Sequence, residues 1–171
     1  MTAAKVVVTG PVCAGKTSFV HALSRQDAHS TEAPSTSAIG KENTTVGMDV
    51  GATQIEGRSV KLFGTPGQER FAYMWEILAA GADGVVLLIP ADREQAIGAA
   101  EQITEVLTAA SPPPVGVGVT RSDRADGSIL PAVQRRFEDR AAFVERLDGR
   151  VPDQCRALLA ALMDEIEAGR G

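Results

Sequence analysis

Gly10-Pro11-Val12-Cys13-Ala14-Gly15-Lys16-Thr17 follows the apolar run Lys5-Val6-Val7-Val8-Thr9 and precedes Ser18-Phe19-Val20-His21-Ala22-Leu23. The spacing is G-x-x-x-x-G-K-[ST], and its flanks predict a strand over residues 4–10 and a helix over 16–26. A glycine-rich turn between a strand and a helix aims several backbone N–H groups inward. Their partial positive charges and the helix N-terminus then converge on one anion. A nucleotide phosphate fits that arrangement, and Gly10, Cys13, Ala14, Gly15 and Ser18 form its predicted cradle. Lys16 adds a mobile charge for the β- and γ-phosphates, and the Thr17 hydroxyl adds a hard oxygen ligand for Mg²⁺. Only four of the 17 basic residues are lysines, so a chance match to the motif is rarer than average composition implies.

The rest of the composition bounds what surrounds this loop. A chain of 171 residues can bury one substantial core without disulfides, and no internal repeat is apparent, so residues 1–171 read as a single domain. A net charge of -5 argues against a basic nucleic-acid surface. No apolar run approaches the roughly 20 residues that span a bilayer, and the first residues lack the regions of a signal peptide. Thr2 follows Met1 and no cysteine stands near Gly171, so no lipid anchor is predicted. The expectation is a soluble cytoplasmic protein with no nucleic-acid partner and no stable membrane anchor. Cys13 and Cys155 form no spaced ligand set and read as free thiols. Cys13 reads as a small passive side chain, with an oxidant-sensitive thiol as the alternative.

Beyond the first helix the composition shifts. Residues 27–46 are dense in Ser, Thr, Pro and charge, which predicts a long flexible loop, and long loops inside compact domains tend to be functional. Strands over 47–55 and 58–63 follow, joined by a turn at Glu56-Gly57. A second glycine-punctuated loop, Gly64-Thr65-Pro66-Gly67-Gln68-Glu69-Arg70-Phe71, leads to a helix over 72–80. Gly84-Val85-Val86-Leu87-Leu88-Ile89-Pro90 is apolar throughout, as a strand covered on both faces should be. A helical stripe lies within 93–110, a short strand covers 115–119, a helix 128–138, a strand 141–146, and a closing helix 152–168 burying Val151, Cys155, Leu158, Leu159, Leu162 and Ile166. Strands and helices alternate. The predicted fold is α/β in three layers: a mostly parallel central sheet with one antiparallel strand, helices on both faces, and ligands at the carboxyl ends of the strands.

The order GPVCAGKT, TTVGMD, FGTPGQERF and TRSD resembles Ras-like small GTPases over essentially the whole chain. The loop GTPGQ and the long first switch are most similar to bacterial MglA-like and conservon-type members. The resemblance implies the P-loop NTPase G-domain fold and a GTP-binding switch that hydrolyses GTP to GDP and phosphate with Mg²⁺. It implies Thr45 as the switch I threonine that ligates the metal, with Thr44 as the neighbouring candidate. It implies Gly67 as the backbone donor to the γ-phosphate and Gln68 as the residue that orients the attacking water. Thr120, Arg121 and Asp123 stand where the base-reading motif falls. A carboxylate accepts from both N1–H and the 2-amino group of guanine, and adenine has no such donor pair. Gly149, in Asp148-Gly149-Arg150, stands where a backbone N–H contacts guanine O6. The resemblance also implies a roadblock-type GTPase-activating partner.

Three positions depart from the family pattern. Gly64 replaces the aspartate that holds a water on the metal, and Asp49 on the adjacent strand is the expected substitute. Val12 adds bulk where an incoming arginine finger lies; Arg58 and Arg70 are near the right loops, but neither is identifiable as an internal finger. Arg121 replaces a lysine, an exchange that is not conservative. Two other function classes fit parts of the sequence: a nucleotide-binding scaffold that no longer hydrolyses GTP, and an ATP-dependent P-loop enzyme. The second predicts arginines in a lid, and residues 27–45 contain none.

Overall fold

A computed structural model describes residues 2–24, 49–65, 72–107, 112–124 and 127–171. Among these residues six strands, β1 (Ala4–Thr9), β2 (Asp49–Ile55), β3 (Arg58–Gly64), β4 (Gly84–Pro90), β5 (Val115–Thr120) and β6 (Phe143–Arg146), form one sheet in the order β2-β3-β1-β4-β5-β6. Every neighbouring pair is parallel except β2 and β3, which the Glu56-Gly57 turn joins as an antiparallel hairpin. From β1 the chain builds outward to β3 on one side and then to β4 on the other. That reversal opens a crevice at the strand ends. The expected α/β architecture is the observed one.

Among the described residues five α-helices cover the sheet: α1 (Lys16–Ser24), α2 (Ala72–Ala79), α3 (Ala96–Leu107), α4 (Ile129–Phe137) and α5 (Pro152–Arg170). Alternation along the strands sorts the core into two layers. Val6, Val8, Val86 and Leu88 pack with Phe19, Leu23, Leu158 and Leu162 of α1 and α5. Val7, Val85, Leu87 and Ile89 pack with Trp75, Ile103, Val133 and Phe137 of α2, α3 and α4. β4 is buried at all seven positions, which explains why its sequence is apolar without alternation. On β5, Gly116 and Gly118 face the first layer. A Cβ on Gly116 would press into the Phe143 ring at 2.5 Å, so the missing side chains let neighbouring elements lie close.

Some boundaries differ from expectation for local reasons. The third predicted helix, placed within 93–110, begins at Ala96, where the Ala96 N–H closes a tighter turn onto the Arg93 carbonyl at 3.1 Å. β6 begins at Phe143 and not at residue 141, since the Ala141 N–H is still bonded to the Phe137 carbonyl at the end of α4. Val151 is half-buried where burial was expected. It is the extended residue that caps α5 and lies outside the helical stripe.

The hairpin is tied to α5 at its turn. Arg58 donates to the Ile55 carbonyl and to Glu56 and Asp164, and lies 3.3 Å from Glu167. Arg156 donates to the Gln54 carbonyl at 2.6 Å. Exposed pairs of this kind contribute about 0–1 kcal/mol each, so their effect is to fix the hairpin's position more than to stabilise the fold. Among the described residues, no helix is long and apolar enough to cross a membrane.

Candidate functional site: a phosphate loop and base pocket at the strand ends

The loop between β1 and α1 is wound by left-handed residues. Gly10 has φ +151°, Gly15 φ +100°, and Cys13, though not a glycine, φ 69°. Ala14 N–H donates to the Pro11 carbonyl at 3.2 Å and Phe19 N–H to the Gly15 carbonyl at 2.9 Å, which closes the turn and starts the helix. Glycine at position 10 is required twice over. Its φ is unfavourable for a side chain, and a Cβ there would overlap the Leu88 carbonyl oxygen. Neither backbone can yield, so Gly10→Ala is expected to destabilise the protein by about 3 kcal/mol, read as a lowered urea midpoint with unchanged m-value.

Lys16 folds back over this loop. Its Nζ donates to the Gly10 carbonyl at 2.8 Å and the Pro11 carbonyl at 3.0 Å. Burial pulls the ammonium down to about 8, against smaller attractions from Cys13 and Asp49. A phosphate offers this group the counter-charge that two neutral carbonyls do not.

Thr17, one residue on, donates its hydroxyl to Asp49 Oδ2 at 2.7 Å. Asp49 opens β2 directly opposite Gly64, the last residue of β3. The carboxylate therefore stands across the ladder from the position where the family pattern has its aspartate. A Cβ on Gly64 would lie 3.3 Å from Asp49 Cβ, so the pair has room for one carboxylate more readily than for two. His21 Nε2 is 3.9 Å from the other Asp49 oxygen. Thr17 and Asp49 are hard oxygen donors, the chemistry Mg²⁺ takes. That ion is held by one or two protein oxygens, with waters and substrate phosphates completing its shell. Among the described residues no group of three or more His, Cys, Asp or Glu gathers as a metal cage.

Thr65, where the second loop begins, is tied to β1. Its N–H donates to the Val8 carbonyl at 2.9 Å, and its buried hydroxyl donates to Thr9 Oγ1 at 2.7 Å. Thr45 with Thr44, Gly67, Gln68, Arg70 and all of the predicted 27–46 loop lie outside the described residues.

Beside the phosphate loop is a cavity of about 410 Å³. The predicted residues Cys13, Ala14, Gly15 and Ser18 line one side; Thr120, Arg121, Asp123 and Gly149 line the other. The walls are locked to the loop. Thr120 Oγ1 donates to the Ala14 carbonyl at 2.7 Å, and Arg121 Nη1 to the Cys13 carbonyl at 3.0 Å. Arg121 Nε lies 3.2 Å from Asp92 Oδ2, an ion pair rather than a well-aligned hydrogen bond. Arg121 thus bridges the phosphate loop and the turn after β4, which lysine with its single nitrogen does in fewer directions. Among the described residues no cation lies within ion-pairing distance of Asp123. The neighbouring Asp148, by contrast, is neutralised by Arg150 at 3.0 Å, and those hydrogen bonds hold its carboxyl down at about 2. Asp123 is the carboxylate this pocket leaves available to a ligand.

Sequence reasoning missed Asp92 and Asp148–Arg150 as functional partners. The first pairs across 29 positions and has no local signal. The second was visible as opposite charges two apart around a glycine. Both cysteines are free thiols, Cys13 exposed and Cys155 buried.

Comparison with known proteins agrees with this geometry. The family described as the Roc, or Ras of Complex, domain of DAPkinase matches residues 5–123, from β1 to Asp123. An uncharacterized protein of Methanocaldococcus jannaschii is 28% identical over 127 residues, covering 71% of this chain and 72% of its own. The ADP-ribosylation factor-related protein 1 of Bos taurus is 25% identical over 146 residues, covering 84% of this chain and 71% of its own. The family match spans the β1–α1 loop, the hairpin with Asp49 and the turn after β5 with Asp123, and on that span the chain belongs to the Roc family of Ras-like GTPase domains.

Proposed function

We propose that the protein is a GTP-binding switch that hydrolyses GTP to GDP and phosphate with Mg²⁺ as cofactor. The observation that carries this is a cavity with the β1–α1 loop along one wall and, on the other, the carboxylate of Asp123, which has no ion-pair partner among the described residues. Gly10, Cys13, Ala14, Gly15 and Ser18 would present backbone donors to the phosphates, and Lys16 would leave its carbonyl partners for them. Thr17 and Thr45 would hold the metal, with Asp49 positioning its water ligand in place of the missing aspartate at 64. When bound, Mg²⁺ supplies charge neutralisation on the β- and γ-phosphates. Gln68 would orient the attacking water through its carboxamide, and Gly67 would donate to the γ-phosphate. Asp123 would select guanine, Gly149 N–H would meet O6, and the Arg121 stem would cover the base. Switch I and switch II would alternate between two states as the γ-phosphate comes and goes, controlling a signalling partner.

The GTPGQ loop and the long first switch support the MglA-like and conservon-type likeness, and with it a bacterial cytoplasmic setting and a roadblock-type activating partner. Competition of GTP, GDP and ATP for the purified protein tests the nucleotide: guanine nucleotides should win, and ATP preference would end this reading. Single-turnover phosphate release tests the chemistry. Gln68→Ala should slow it by about 10²-fold or more with little change in GTP affinity. Equal near-zero rates for both proteins would leave a nucleotide-binding scaffold without hydrolysis.

A further inference from the structure

Guanine has two polar edges, and Asp123 answers only the one that donates, N1–H and the 2-amino group. The other edge carries two acceptors, O6 and N7, and needs donors. Two of the donor side chains on the cavity's wall, Thr120 and Arg121, are committed elsewhere. The Thr120 hydroxyl has one proton, and it goes to the Ala14 carbonyl. Arg121 is held at one end by the Cys13 carbonyl and at the other by Asp92.

Arg150 differs. It lines the cavity, and Asp148 grips it from one side only. Its backbone N–H and Nε donate to Asp148 Oδ1 at 2.9 and 3.0 Å, and Nη2 donates to Oδ2 at 3.0 Å. A guanidinium has five N–H donors, so this bidentate grip leaves Nη1 and one Nη2 hydrogen uncommitted. No described residue accepts from Nη1. The grip also fixes the plane of the fork, which an exposed arginine otherwise lacks.

The loop that carries this pair is held by the first turn of α5. Asp148 N–H donates to Gln154 Oε1 at 2.8 Å, and Val151 N–H to the Asp148 carbonyl at 3.0 Å. The buried Cys155 thiol donates to the Gly149 carbonyl at 3.4 Å, and burial pushes that thiol up to about 12, so it remains a donor.

We infer that Arg150 is a specificity-determining residue: held by Asp148, it donates to the N7 and O6 edge of guanine while Asp123 accepts from the opposite edge. The base is then read from both sides. This rests on the guanine reading of the pocket and adds a donor that the reading does not contain.

The test compares GDP with 7-deaza-GDP, in which a C–H replaces the N7 acceptor, by calorimetric titration, with ADP and pyrophosphate as controls. The wild-type protein should prefer GDP over the deaza analogue by about three- to tenfold, one hydrogen bond's worth. Arg150→Ala should bring that ratio to about one while leaving pyrophosphate affinity unchanged. Asp148→Asn, which loosens the grip and keeps the arginine, should lower the ratio without abolishing it. Equal wild-type affinities for GDP and 7-deaza-GDP overturn the inference, and so does an unchanged ratio in Arg150→Ala. In either case a retained preference for GDP over ADP shows that guanine selection by Asp123 stands alone. Loss of that preference in the wild type would instead remove the reading beneath.

Discussion

Asp49→Ala is expected to weaken the Mg²⁺ dependence of GDP binding by about 10- to 100-fold while leaving Mg²⁺-free affinity nearly unchanged. The argument is geometric. Asp49 Oδ2 accepts the Thr17 hydroxyl at 2.7 Å, so the carboxylate both orients that hydroxyl and adds negative charge beside it. Removing it leaves Thr17 without this acceptor and would take away the group proposed to position a water on the metal. Because Asp49 and Gly64 face each other across the antiparallel ladder, the deficit has a specific remedy. The double variant Asp49→Gly with Gly64→Asp returns one carboxylate to the same cross-strand pair and removes the Asp49 Cβ that a side chain at position 64 would otherwise meet at 3.3 Å. It should recover part of the metal dependence, which a second unrelated substitution would not do. The measurement is the GDP dissociation rate across a titration of free Mg²⁺. An Asp49→Ala protein with the wild-type Mg²⁺ requirement would mean that the carboxylate merely caps Thr17.

The second large effect concerns Lys16 and pH. In the nucleotide-free protein burial holds its pKa at about 8, below the ordinary 10.5. Phosphates favour the charged ammonium, so binding raises that value and takes up a proton above pH 8. GDP affinity should therefore be level below about pH 8 and fall above it, by up to about tenfold per pH unit. Titrations between about pH 7 and pH 9, in two buffers of different ionisation enthalpy, should show the proton uptake directly. Lys16→Gln should bind GDP about 10- to 100-fold more weakly at neutral pH and show no such slope from this site. The stability of the nucleotide-free protein should move the opposite way. Between about 8 and 10.5 the unfolded chain holds more protons than the folded one, so this group's contribution makes folding more favourable as pH rises through that window. An affinity that stays flat to pH 9 in the wild type would mean that Lys16 keeps its proton in both states.

Much of the fold was legible because it depends on signals carried locally. The apolar run of β4, the motif at 10–17 and the turn at Glu56-Gly57 each predict their own element, and the alternation of strands and helices predicts the layers. The exact start of β6 was not legible, because it depends on a single hydrogen bond from Ala141 back to α4. At the site, the motif named Lys16 and Thr17 without assistance, whereas Asp49 could only be suspected. Its partner is 32 residues away, and only the hairpin register brings the two together. Asp92 was invisible for the same reason. It becomes a partner of Arg121 only because β4 and β5 are parallel neighbours whose carboxyl ends lie side by side. Thr45, Gly67 and Gln68 rest on the resemblance in sequence.

The division of the core into two layers separates two kinds of mutational damage. α1 and α5 anchor the phosphate loop and the 148–150 turn, and both sit on the layer built around Phe19, Leu158 and Leu162. A nucleotide seated in the proposed site would bridge parts of that layer and therefore shield it preferentially against local opening. A truncation there weakens ligand retention and resistance to unfolding together, and excess nucleotide rescues it in part. The layer around Ile103, Val133 and Phe137 carries no wall of the cavity. Damage on that side lowers stability while leaving the affinity of the surviving folded molecules intact.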